Sequence, residues 1–137
     1  MTKFHELPDS VEYDRLKGYF AEFFACYCNN NTDVLYALNE LLELADRQWH
    51  TYELLEEGVR EHAETYLRSV IDFEDEEIMD CILCIIPRIG LGNLFRYILH
   101  NRALIHNQNV LSNIAESENE YGDSVDNPYS GMWLFYA

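Results

Sequence analysis

The stretch Asp72-Phe73-Glu74-Asp75-Glu76-Glu77-Ile78-Met79-Asp80-Cys81-Ile82-Leu83-Cys84-Ile85-Ile86-Pro87-Arg88-Ile89-Gly90 decides the fold. Its first six residues carry five acids. Acidic side chains suit the first turn of a helix because they face the positive end of its dipole. From Ile78 to Ile86 nearly every position is apolar, which predicts a helix buried on most of its circumference, at the centre of the protein. Pro87, Gly90 and Gly92 then interrupt the chain. Such a helix needs others packed around it, and the sequence on either side supplies them.

Upstream, Asp9-Ser10-Val11-Glu12 reads as a capping box. The helix it opens carries Leu16, Phe20, Phe23, Phe24 and Tyr27 on one face and stops at Asn29-Asn30-Asn31. Thr32 or Asp33 caps a second helix, in which Val34, Leu38, Leu41, Leu42 and Ala45 recur at spacings of three and four. Trp49 continues that periodicity and is assigned to the core, while Glu40, Glu43 and Asp46 fall off the stripe. A third helix is expected from Trp49–Thr51 to about Val70. Its buried face is Leu55, Val59, Ala63, Tyr66, Leu67 and Val70, and its outer edge is Glu53, Glu57, Glu61 and Glu64. Gly58 weakens it by about 1 kcal/mol relative to alanine.

Downstream, Leu94, Phe95, Ile98 and Leu99 predict a short fifth helix. Val110, Leu111, Ile114 and Ala115 predict a sixth, capped by Asn107. Residues 116–131 read as an acidic, polar loop, and residues 132–137 as an apolar tail docked on the domain, since soluble monomers seldom expose such patches. No segment alternates with period two. The expected fold is all-α: a single domain over residues 1–137, built as an antiparallel helical array, with HEAT-like helix pairs as one form of it.

Composition narrows the function. The 137 residues hold 25 acids against 9 Lys and Arg, a formal charge of −16. That excess disfavours binding to nucleic-acid phosphates and to anionic membranes, both of which want clustered cations. The N-terminal residues lack an apolar leader, and no apolar run approaches the ~20 residues of a membrane span, so a soluble cytoplasmic protein is expected. Of the cysteines, Cys81-x-x-Cys84 has the two-residue gap of zinc sites and Cys26-x-Cys28 does not. Both pairs lie in apolar helical stretches, where small core side chains are the expectation. The sequon Asn30-Asn31-Thr32 carries no weight without secretion.

Catalytic signatures are missing. There is no phosphate-binding Gly-x-x-x-x-Gly-Lys, no Gly-x-Ser-x-Gly and no His-Glu-x-x-His. The residues three before His50, His62, His100 and His106 are Arg47, Val59, Tyr97 and Ala103, so the Glu-x-x-His of carboxylate di-iron bundles is absent. His50 with Glu53, and His62 with a neighbouring Glu, read as exposed helical residues. No enzyme activity, cofactor or metal is expected.

The distribution of charge is more informative than its sum. Eleven acids lie between Glu53 and Asp80, and none lies between Asp80 and Glu116, where Arg88, Arg96 and Arg102 sit. Glu56 with Arg60 and Glu64 with Arg68 have i,i+4 spacing, worth about 0.3–0.5 kcal/mol each. A one-sign surface serves solubility. It also suits a basic partner, whose approach it would accelerate. The candidate partner-binding residues are Glu53, Glu56, Glu57, Glu61, Glu64, Asp72, Glu74, Asp75, Glu76 and Glu77, with Tyr52 as an aromatic anchor.

With that acidic edge, the Asp72–Glu77 cluster and the break around Ile82–Gly90, the region from Thr32 to Ala115 resembles small, acidic, all-helical bacterial immunity proteins of contact-dependent growth inhibition and polymorphic toxin systems. The resemblance implies an inhibitor without catalysis that binds one cognate basic toxin domain, most often a nuclease. A phage-type inhibitor or nucleic-acid mimic aimed at a host defence protein uses the same physics. A metal-binding helical enzyme using His50, His62 or the cysteines, and an adaptor that binds through its apolar tail, are the remaining alternatives.

Overall fold

Helix α4 (Glu76–Ile89) is the centre of the computed structural model, which describes residues 3–27, 33–121 and 125. Asp75 caps it, its carboxylate accepting from the Ile78 N–H at 3.0 Å. Met79, Cys81, Ile82, Leu83, Ile85, Ile86 and Ile89 are buried, so only a narrow stripe of Glu77, Asp80, Cys84 and Arg88 stays polar. Pro87 does not end the helix as the sequence suggests; it sits in the last turn, where only the bond to the Leu83 carbonyl is forgone. The stop is Gly90, whose left-handed φ of 73° lets its own N–H and that of Leu91 close on the Ile86 carbonyl at 2.9 and 3.1 Å.

The other helices are α1 (Tyr13–Tyr27), α2 (Val34–Trp49), α3 (Glu57–Val70), α5 (Gly92–His100) and α6 (Gln108–Tyr121). The described residues contain no strand, and the all-α expectation holds. The most extensive helix packing is α2 on α4; α6 lies on α4 as well, making a row α2–α4–α6. Helix α1 contacts both α2 and α3, and α5 contacts α4. No described helix is long and apolar enough to cross a membrane.

The apolar stripes fill this core as expected. Leu16, Phe20, Phe23, Phe24 and Tyr27 of α1 are all buried, as are Leu38, Leu41 and Ala45 of α2. Phe23 meets Tyr66 of α3 edge-on at 5.3 Å, and Phe24 stacks on His62 at 4.0 Å. Trp49, assigned to the core from its periodicity, is instead only half-buried, beside the rings of His50 and Tyr52 at the end of α2. Asp33 caps α2 through the Tyr36 N–H at 3.1 Å, and Asn107 caps α6 through the N–H groups of Asn109 and Val110.

Four further expectations are corrected. Residues 9–12 do not form the first turn of α1, which starts at Tyr13 with the Glu12 carbonyl taking the Leu16 N–H. The third helix begins at Glu57, not at Trp49–Thr51, because residues 50–56 form a hydrogen-bonded turn. Helix α6 continues through residues 116–121, where a loop is expected. Cys84 is exposed, so only Cys81 of that pair is a core side chain. Cys28, the sequon, residues 122–124 and the apolar tail lie outside the described residues; Val125 is buried.

Glu40 is the last correction and the most instructive. It is only 3% exposed. Its carboxylate accepts the Phe4 N–H at 2.6 Å and faces the His5 ring. Two turns on, the buried Arg47 donates to the carbonyls of Leu7 (2.7 Å) and Pro8 (3.0 Å) while pairing with Glu43 at 2.6 Å. These two α2 side chains strap residues 4–8 down and seat Phe4 among Tyr19, Phe23 and Tyr27.

Replacing Glu40 with alanine strands the buried Phe4 N–H and should cost about 1–3 kcal/mol in chemical denaturation. Burial, reinforced by neighbouring Tyr36 and Glu40, pushes the Tyr27 phenol up to about 12. The unfolded chain therefore loses this proton first, near pH 10, and Tyr27 makes stability fall between about pH 10 and 12. Denaturation at stepped alkaline pH should show a smaller fall for Tyr27→Phe.

Candidate partner-binding surface

The acids fall into two groups set apart by the length of a helix. Glu57, Glu61 and Glu64 line the first half of α3, preceded by Glu53 and Glu56 in the turn. Asp72 to Glu77 lie beyond the other end of α3, and a 14-residue helix spans about 21 Å.

The second group is largely engaged within the protein. Asp72 accepts the Glu74 N–H at 3.0 Å, shaping the link into α4 that Asp75 then caps. Glu74 receives the N–H groups of His106 (2.7 Å) and Asn107 (3.0 Å). Glu76 receives the side-chain amides of Asn107 (3.2 Å) and Asn109 (2.8 Å), and Asp80 that of Asn113. These carboxylates tie the start of α4 to the start of α6. Three asparagines on and before α6, together with two backbone N–H groups, are their donors. Glu77 stays exposed on the polar stripe.

The first group faces outward. Glu57 and Glu61 are exposed, and their carboxylates have no hydrogen bond or ion pair among the described residues. With Arg60 and Glu64 they border a cleft of about 110 Å³, closed on its other side by Gly90, Leu91, Gly92 and Asn93. Glu64 pairs with Arg68 at 3.6 Å, as its i,i+4 spacing suggests. Glu56 does not take Arg60; it lies 3.6 Å from Lys17 of α1. Arg68 also lies over the Tyr97 ring at 4.3 Å, so that cation is shared between two partners.

The turn between α2 and α3 carries Tyr52, the predicted anchor. Tyr52 is 65% exposed and has a φ of 59°, the left-handed region in which a bulky residue is strained by about 1–2 kcal/mol. The side chain of Gln48, buried in α2, donates to the Glu53 carbonyl at 2.6 Å and to the Thr51 hydroxyl at 3.3 Å. That hydroxyl in turn donates to the Gln48 carbonyl and accepts the Glu53 N–H. From the other side, the Tyr13 hydroxyl accepts the Glu56 N–H at 3.0 Å and reaches the Leu54 carbonyl at 3.4 Å. Leu55, 2% exposed, pins the turn into the core.

No group of three or more His, Cys, Asp or Glu among the described residues has the geometry of a metal site. Burial, with Cys84, Asp80 and Glu77 nearby, pushes the Cys81 thiol up and away from thiolate reactivity.

The two groups should separate in stability measurements. Glu74→Gln keeps the shape but leaves one acceptor oxygen where the carboxylate used two, so one of the His106 and Asn107 N–H groups loses its partner and the other bond loses its charge; at this exposed position the cost should be about 1–2 kcal/mol. Glu61→Gln should stay within about 0.5 kcal/mol of the parent, on the stabilising side where it relieves repulsion. Urea denaturation of both variants checks the contrast. Comparison of the chain with protein-family models, with curated proteins and with solved structures found no match.

Proposed function

We propose that the protein is a stoichiometric inhibitor that binds a basic protein through the acidic edge at the start of α3, as an immunity protein covers the substrate surface of its toxin. The observation that carries this reading is the state of Glu57 and Glu61. Their carboxylates are exposed and uncommitted within the fold, on a chain with a formal charge of −16. Fixed charge that the fold does not use destabilises it through self-repulsion, and a basic partner would relieve that cost on binding. A nuclease carries such a basic surface because its substrate is a polyanion. The inhibitor would occupy it by offering carboxylates in place of phosphates, with no chemistry of its own. Glu53, Glu56 and Glu64 extend the edge. Glu77 and the engaged carboxylates of Asp72–Glu76 would add long-range attraction in place of direct contact.

The reading is tested by titrating the full chain with the purified basic protein encoded by the adjacent gene, across a range of salt. A nanomolar complex is expected, with an on-rate that falls steeply as salt rises. The double variant Glu57→Gln/Glu61→Gln should slow association several-fold at low salt and lose much of that salt dependence. No complex at any salt, or a complex whose kinetics ignore both salt and the double variant, would overturn it.

A further inference from the structure

We infer that the α2–α3 turn is the anchor of this interface, with Tyr52 and Leu54 entering an apolar socket that is rimmed by Lys or Arg on the partner. The inference rests on the reading of a basic partner and adds where the contact is made and what shape meets it. Among the described residues the large apolar side chains exposed by more than a third are Tyr36, Tyr52, Leu54 and Leu104, and two of the four share this turn. Tyr52 is 65% exposed and Leu54 42%, with the half-buried Trp49 ring 6.5 Å from that of Tyr52. A turn that only connected two helices would be better served by Gly or Asn at a φ of 59° and by a polar residue at position 54.

The turn is also built to hold its shape. Gln48 grips it from α2 and Tyr13 from α1, and buried Leu55 fixes its inner side. An apolar projection held this way loses little freedom on docking, which is what gives an anchor its energy. The occupant follows from charge. Glu53 lies between Tyr52 and Leu54 in the sequence, and Glu56 and Glu57 follow directly after the turn's buried Leu55, so a socket with an acidic or neutral rim would be disfavoured and a cationic one favoured. Gln48 is a positioning residue of this surface.

The experiment compares Tyr52→Asn and Leu54→Ser with Glu57→Gln/Glu61→Gln against the protein of the adjacent gene, reading on- and off-rates, thermal midpoint and sedimentation. Asn tolerates left-handed backbone, so Tyr52→Asn should keep the midpoint of the parent. It should raise Kd by about 30-fold or more through a faster off-rate, leaving the on-rate and its salt slope intact. The acid variants should do the reverse. If the parent complex forms and both turn variants bind as tightly as the parent, the anchor is overturned while the acidic edge stands. If the parent forms no complex at any salt, the basic-partner reading falls and takes the anchor with it. A dimer of this chain that dissociates on Tyr52→Asn would place a second copy on the turn and overturn the proposal.

Discussion

The packing of α4 against α2 is the constraint from which the remaining arrangement follows. A helix apolar on most of its circumference must be enclosed, and α2, α5 and α6 do so. Its polar stripe is all that may face outward, and this fixes its rotation. Two members of the stripe are themselves bonded: Asp80 to Asn113, and Arg88 to Asp46 of α2 at 3.3 Å and to the Cys84 carbonyl at 2.6 Å. With α4 so placed, its acidic start meets the start of α6, and its glycine-capped end meets the first half of α3.

Charge therefore has two uses in this molecule. Glu40 and Arg47 are nearly enclosed, and each is met by backbone groups of residues 4–8, which keeps their burial affordable. Glu74, Glu76 and Asp80 serve as acceptors in place of apolar packing between α4 and α6. What remains uncommitted, Glu57 and Glu61 above all, is displayed. The sum of −16 conceals this division, since a carboxylate that receives two N–H groups is not equivalent to one that receives none.

The helices and their buried faces were legible because period and capping are local properties. Leu16, Phe20, Phe23, Phe24 and Tyr27 declare a stripe without reference to anything distant, and Asp33 and Asn107 stand directly before the helices they cap. Glu40 was not legible. Its position off the stripe says solvent, and only the return of residues 4–8 across α2 makes that face an interior. The start of the third helix was obscured for a related reason. The apolar and acidic spacing runs unbroken through residues 50–56, but a buried glutamine captures the backbone there and turns it. Glu53 and Glu57 consequently share no helix edge. Glu74 and Glu76 read as part of a binding cluster because their donors lie some thirty residues away; the asparagines at 107 and 109, with Asn113 on Asp80, were the available signal.

The row α2–α4–α6 joins each helix to the next but one, so its contacts span modest sequence distances; the one between Asn39 and Cys81 spans 42 residues. Because closure entropy grows only with the logarithm of loop length, these steps cost nearly the same as one another, and none must wait for the two ends of the chain to meet. The segment at residues 4–8 belongs to the same regime, closing on α2 over 35 to 40 residues. A chain wired this way can assemble progressively as it leaves the ribosome. The first three helices already contain Phe4's pocket, and α4, arriving next, brings the surface that α6 later covers. The order in which the core closes is thus a property of the wiring and not of any single contact.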